Sequence, residues 1–251
     1  MQFDFRVRRH ARDGTDRSNG RFSEDWCRAA EPAGCRTWGR ARRPTIFGMV
    51  PEAPFEQTDH GLLPAGEGWF VLNAREAQWR VWEGRGKWPR LEGAKTMFSQ
   101  LGLGLTVLDP GEPLSMYHWE RDQEDFLVLH GEALAIVEGE ERRLRKWDLF
   151  HCPAGTKHSI VGAGASPCVV FAVGAREKTM RRTDDGRLTP TANWGVYPVD
   201  EAALRHDAGV DAETSDKSAA NPTFPERVST RYRDGWLPDQ NQRAARIATS
   251  R

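Results

Sequence analysis

Two stretches decide how this chain is read. The first is Gly111-Glu112-Pro113-Leu114-Ser115-Met116-Tyr117-His118-Trp119-Glu120-Arg121-Asp122-Gln123-Glu124, and the second, after a hairpin's worth of chain, is Pro153-Ala154-Gly155-Thr156-Lys157-His158. Four of their side chains are of metal-ligand type: His118, Glu120, Glu124 and His158. His118 and Glu120 are two apart, which on a strand puts both on one face. Glu124 follows Arg121-Asp122-Gln123, a run that can bend the chain and re-aim it. Pro153 and Gly155 allow a tight turn that delivers His158 inward. Neutral imidazole and carboxylate together suit one divalent transition metal ion, Fe²⁺, Mn²⁺, Zn²⁺, Ni²⁺ or Co²⁺. Two histidines and two carboxylates would leave one or two positions open for water or substrate.

Outward from these stretches the text is β grammar. Leu101, Leu103, Leu105 and Val107 alternate with Gly102, Gly104 and Thr106, and Asp109-Pro110-Gly111 turns the chain. Phe126-Leu127-Val128-Leu129 and Leu134-Ala135-Ile136-Val137 are apolar runs of strand length parted by Gly131, with a hairpin turn at Glu138-Gly139-Glu140-Glu141. Residues 147–152, 159–161 and 168–173 follow as strands, and Gly162-Ala163-Gly164 reads as a loop. Earlier, residues 68–73 and 78–83 read as two more strands. Short strands at this spacing predict an all-β sandwich or barrel, and no helical period interrupts them, which excludes a βαβ plan. After Gly174 the pattern fades into a mostly irregular tail over 176–251. It holds one short helix near 200–208, capped by Asp200 with Gly209 beyond it. Trp194, Tyr197, Phe224 and Trp236 are spaced so that parts of this tail can lie against the strands.

Lys+Arg and Asp+Glu both total 36, so the chain is neutral, and nothing in its overall charge points to nucleic acid or an anionic membrane. Residues 1–48 nevertheless hold eleven Arg against six Asp/Glu. Their composition favours solvated disorder over a nucleic-acid-binding arm. Met49 opens a stretch of different character, so a true start at Met49, with an over-extended leader before it, is a further expectation. No apolar run approaches the ~20 residues of a membrane span, and no secretory signal is apparent, so the expected compartment is the cytoplasm. Cys27, Cys35, Cys152 and Cys168 have no close pairing pattern and read as reduced thiols, the last two buried in apolar strands.

The motifs carry a family resemblance. The stretch resembles a cupin, whose first motif runs G-x5-H-x-H-x3,4-E-x6-G and whose second runs G-x5-P-x-G-x2-H-x3-N. Glu124 and Gly131 stand in register with the first motif, and Pro153, Gly155 and His158 with the second, while Gly111 precedes His118 by one residue more than the pattern asks. Glu120 replaces the second histidine, Trp147 the second motif's glycine and Gly162 its asparagine. The resemblance implies a double-stranded β-helix, the cupin jelly-roll barrel, over about residues 95–175, with the strands of 49–94 packing on it. It also implies a metal held by His118, Glu124 and His158. If Glu120 coordinates, the set is two histidines and two carboxylates; carboxylate-for-histidine exchange at this position occurs in metal-binding cupins. If it does not, a 2-His-1-carboxylate triad remains and Glu120 is free to act as the catalytic base.

Three functions follow as expectations. One is a metal-dependent cupin enzyme acting on a small organic molecule by dioxygenation, decarboxylation or isomerisation. Another is a non-catalytic cupin that binds a small ligand or metal, and the last is a structural domain. No helix-turn-helix accompanies the barrel, which argues against a transcriptional sensor. The pocket wall is expected from Leu105, Val107, Phe126, Val128, Phe150 or their neighbours. His151, in the strand leading to Pro153, either orients a ligand from behind or packs in the core. Tryptophans 69, 79, 82 and 88 form a ligand platform or fill or cover a β core, and where exposed they support a homodimer.

Overall fold

The structure is a computed structural model that describes residues 49–93, 96–185, 187–221 and 225–239. The expectations for residues 1–48, including Cys27 and Cys35, and for Phe224 lie outside the described residues. The N-terminal strands are β1 (Phe55–Thr58), β2 (Gly61–Pro64), β3 (Trp79–Val81) and β4 (Lys87–Pro89). The central ones are β5 (Leu101–Leu108), β6 (Trp119–Glu120), β7 (Glu124–His130), β8 (Glu132–Val137), β9 (Glu140–Arg145), β10 (Leu149–Cys152), β11 (His158–Ala163) and β12 (Cys168–Ala175). The C-terminal segment adds β13 (Met180–Arg182), β14 (Leu188–Pro190), β15 (Gly195–Val196), helices α1 (Glu201–Leu204) and α2 (Lys217–Ala220), and β16 (Val228–Thr230).

Two antiparallel sheets carry the fold, one in the order β10-β7-β12-β5-β4-β3-β16 and one in the order β11-β8-β9. Their inner faces meet in one apolar cluster. Leu108, Phe126, Val128, Cys152, Cys168 and Val170 come from the large sheet, and Ala133 and Ile160 from the small one. This is the all-β double-stranded β-helix that the strand spacing and the motifs led us to expect.

Strand alternation decides what each sheet buries, and β5 shows it best. Leu108 reaches the inner cluster, so Gly102, Gly104 and Thr106 share its inner face. Leu105 and Val107 point the other way, into an outer layer with Trp79, Leu129, Val169, Tyr232 and Trp236. The expectation that Leu105 and Val107 wall the pocket is therefore corrected: these two build the outer layer, and Gly102, Gly104, Thr106 and Leu108 face the interior. Across the register Gly102 faces Gly174 on β12, and Gly174 faces Glu124 on β7, so the carboxylate sits beside positions without side chains.

Two further expectations are corrected. Residues 68–73 form no strand; Trp69 makes a single bridge to Glu52 and is 53% exposed. Of Trp69, Trp79, Trp82 and Trp88 only Trp69 is exposed, while Trp79 is fully buried, its ring centroid 5.0 Å from that of Trp236 and 5.5 Å from that of Tyr232. Gly162 and Ala163 belong to β11 rather than to a loop. The C-terminal segment is more ordered than its composition suggests. Its β16 extends the large sheet beside β3, and β15 pairs with β6. Helix α1 and the residues just after it cover the small sheet, burying Ala202, Ala203 and Ala208 against Tyr117, Ile136 and Val161. Asp200 caps α1 as expected, accepting from the Ala203 N–H. Cys152 and Cys168 are buried free thiols, and no helix among the described residues is long and apolar enough to cross a membrane.

The outer layer hinges on Trp79, whose indole N–H also donates to Ala74 O at 2.7 Å. Trp79→Ala is expected to destabilise the fold by about 3–5 kcal/mol, read as a lowered urea midpoint. An unchanged midpoint would show that the C-terminal aromatics do not anchor to the sheet through this ring.

Candidate metal centre

The centre is built on one backbone pair. His118, just ahead of β6, donates its N–H to His158 O at 3.0 Å, and His158 returns the bond to His118 O at 2.8 Å. Paired residues of this kind project their side chains to the same face, and here the imidazole centroids lie 5.0 Å apart. The turn before His158 closes with Thr156 N–H on Pro153 O at 3.1 Å, and Gly155 takes the left-handed φ of 87° that this turn requires. Gly155 N–H also donates to Glu120 O at 2.8 Å, which locks the turn onto β6. Glu124, the first residue of β7, reaches across from the large sheet on the same face as Phe126 and Val128.

Both rings are held in the same tautomer. His118 Nδ1 lies 2.8 Å from Met116 O and His158 Nδ1 lies 3.0 Å from Thr156 O, so in the neutral rings Nδ1–H donates and each Nε2 is left with its lone pair inward. The ligand atoms of His118, Glu124 and His158 all lie within 4.8 Å of one another. Glu124 Oε2 is 3.2 Å from His158 Nε2 and 3.6 Å from His118 Nε2. Yet Glu124 Oε2 and His158 Nε2 are buried without a hydrogen-bond partner. They are close to each other but not aimed at each other, as expected of lone pairs that converge on a shared third point. Buried polar atoms left without a partner are costly, and either protonation of the histidines or a divalent cation among them offsets that cost. The residues therefore fit a metal ion, and the mixed imidazole–carboxylate set suits Fe, Mn, Zn or Ni.

Glu120 is adjacent but outside the convergent trio. Its Oε1 is 3.6 Å from His118 Nε2, and its side chain lines a cleft of ≈ 250 Å³ with Glu124 and Gly174. Phe126 and Phe150 pack on His158 with centroid distances of 5.3 and 6.0 Å. His151 does not join them. Alternation along β10 turns Phe150 and Cys152 inward and His151 outward, where it is 52% exposed and its Nδ1 pairs with Asp125 Oδ1 at 2.6 Å. The role expected for His151 behind a ligand is corrected on that ground.

Two aromatic residues at the site carry no motif. Trp194 and Tyr197, from the C-terminal segment, lie 6.0 and 5.6 Å from the His118 ring, with Trp194 indole N–H donating to Ser215 O at 3.1 Å. Their only signal in the sequence is an aromatic pair, three residues apart, in an otherwise polar tail. Burial pushes the Tyr197 phenol up to about 12, with the charges of Glu120 and Glu124 adding to the rise, so it stays protonated.

The charges of the site follow from its geometry. Burial works against a charged His118, but the Glu120 and Glu124 carboxylates outweigh it and raise the imidazole to about 9. His158 also rises to about 9, with burial opposed by its contacts to Cys152 and Glu124. Glu124 moves the opposite way: burial alone would raise it, and the two histidines hold it well below the usual carboxylate range.

Residues 104–174 match the family model described as Cupin domain, so the chain carries a cupin domain. Similar solved structures include a sugar phosphate isomerase from a cupin superfamily of Silicibacter pomeroyi, 23% identical, covering 48% of this chain and 81% of that one at a TM-score of 0.34. A Cupin 2 conserved barrel domain protein from Salinispora arenicola is 22% identical over 36% of this chain and 76% of its own, at 0.32. A Thermus thermophilus protein is 26% identical over 32% and 75%, at 0.30. No curated protein matches the chain.

In the metal-free protein the raised histidines hold protons at neutral pH that an incoming ion must displace. Metal affinity is therefore expected to rise from pH 6 towards 9 and level off above it, while Glu124 stays ionised throughout. Calorimetry in buffers of different ionisation enthalpy should count at least about one proton released per ion at pH 7. Binding without proton release would contradict this charge arrangement.

Proposed function

We propose that the cupin domain is a metal-dependent enzyme acting on a small organic molecule, with His118, Glu124 and His158 as the ligands of one divalent transition metal ion. The observation that carries the reading is the convergence of three ligand atoms within 4.8 Å, two of them buried and without hydrogen-bond partners. Three protein ligands leave coordination positions free for substrate, as catalytic sites require. The ion, when bound, supplies Lewis-acid polarisation of a substrate oxygen.

The chain's own groups do the rest. Glu120 lines the cleft with Oε1 3.6 Å from His118 Nε2, outside the convergent trio, and is placed to take and return a proton on a substrate atom next to the polarised oxygen. Trp194, Tyr197, Phe126 and Phe150 surround the imidazoles with apolar surface, which keeps water away and strengthens each charge interaction inside. Proton transfer beside a polarised oxygen is isomerase-type chemistry. A second reading, an oxygenase, is favoured by the 2-His-1-carboxylate set itself. Oxygen consumption during turnover separates the two.

Elemental analysis of protein purified without an affinity tag is expected to find about one metal ion per chain. His118→Ala, Glu124→Ala and His158→Ala should each lower that content at least tenfold, because each removes one of three ligands. A metal-free wild type after loading with Fe²⁺, Mn²⁺, Zn²⁺ and Ni²⁺, or full metal in all three variants, would end the reading. Glu120→Gln should keep the ion while lowering kcat by about 10²–10⁴. Loss of metal in that variant would make Glu120 a fourth ligand instead.

A further inference from the structure

We propose that Lys217 is the anion-recognition residue of the cleft beside Glu120 and Glu124, and that the molecule bound there carries a carboxylate or phosphate group. This rests on the metal-dependent reading above and names the substrate class for the same site. Lys217 belongs to the C-terminal segment, outside the residues that match the cupin domain.

The cleft is lined by Glu120, Glu124, Gly174, Arg176, Trp194 and Lys217 among others. Two of these are cations, and they differ in what they hold. The Arg176 guanidinium is committed to Glu92, at 2.8 and 3.0 Å, and to Phe98 O at 2.7 Å. Lys217 makes no ion pair or side-chain hydrogen bond among the described residues, and its ammonium sits over the Trp194 ring, 4.1 Å from the centroid. The contact with the ring face offsets part of the cost of ordering a long side chain while leaving its N–H donors free.

The backbone that presents Lys217 is fastened on both sides. Tyr197 and Thr214 exchange backbone hydrogen bonds of 2.8 and 3.1 Å, and Trp194 donates to Ser215 O. Asp216 caps α2, and Ala220 at its end is buried with Met116, Trp194, Tyr197 and Val210. The ammonium is thereby pre-positioned at the rim, so an incoming anion orders little on binding.

Charge balance then selects the ligand. With a divalent ion at the trio, Glu120 and Glu124 neutralise the ion and Arg176 is neutralised by Glu92, which leaves the Lys217 ammonium as surplus positive charge. A substrate whose oxygen faces the ion and whose anionic group faces Lys217 completes the balance. The cleft offers ≈ 250 Å³ of space between these groups.

The test titrates lactate and methyl phosphate, with glycerol as the neutral control, into full-length metal-loaded protein by calorimetry, for wild type, Lys217→Met and Lys217→Arg. At least one of the two anions should bind wild type and glycerol should not. Lys217→Met should weaken that binding about tenfold or more, with metal content and Tm unchanged, and Lys217→Arg should stay within about threefold of wild type. Equal anion binding by wild type and Lys217→Met, no binding of either anion, or glycerol binding as tightly as the anions would overturn the proposal. If no metal loads, the same titrations run on the metal-free protein. Anion binding that depends on Lys217 would then uphold this proposal while the metal reading fails, and its absence would overturn this one as well.

Discussion

The backbone pair between His118 and His158 is the constraint on which the rest of the site depends. A reciprocal pair of N–H···O bonds, 3.0 and 2.8 Å long, sets two imidazoles side by side before any metal or substrate is considered. Everything nearby protects that register. The Pro153–Thr156 turn aims His158, and Gly155 ties the turn to Glu120. Each Nδ1 is anchored on a carbonyl two residues earlier in the chain. A one-residue slip of either segment would turn its histidine to the opposite face, where the outer apolar clusters lie. Specificity of this kind comes from backbone geometry, which explains how the sequence can substitute Glu120 for a histidine without disturbing the frame.

The large sheet supplies the complementary part. Glu124 is carried on the inner face of β7, and Gly174, its partner on β12, leaves to the carboxylate the place where another residue would put its side chain. Apart from Leu108, which packs in the inner cluster, the bulky members of β5 are turned to the outer layer, and its inner face carries no side chain at Gly102 and Gly104. Period-2 alternation thus separates, on one strand, the outer apolar layer from the glycines of the inner face. Burying a carboxylate between two imidazoles in apolar surroundings costs several kcal/mol unless charge is compensated, and the raised histidines are that compensation in the metal-free chain.

Much of this was legible in the sequence, and the unread parts have physical causes. Alternation and turn residues between 101 and 174 encode the β-helix locally, and His118, Glu124 and His158 stand at motif positions, so both were readable. Which face of β5 turned inward was not, because Leu105 and Gly104 each form a consistent period-2 set and only the burial of Leu108 decides between them. His151 looked like a neighbour of the site for the same reason, being one residue out of phase with Phe150 and Cys152. The C-terminal segment was hardest to read. Strands such as β15 and β16 take their hydrogen bonds from β6 and β3, far away in sequence, and two or three residues show no period of their own.

That segment changes what the site is. The cupin-matching residues end at 174, and by themselves they would leave His118 open on the side that Trp194 and Tyr197 now cover. The cover is fitted closely: a Cβ at Gly195 would lie 2.1 Å from Trp119 O, so β15, which begins right after Trp194, approaches β6 at a distance that only glycine permits. The candidate ligands His118, Glu124 and His158 lie within the cupin-matching residues, whereas the aromatic cover and Lys217 lie outside them. Ligand choice is then expected to follow the C-terminal segment. The barrel would determine that an oxygen is polarised, and residues 194–217 would determine which oxygen-bearing molecule stays long enough for it to matter.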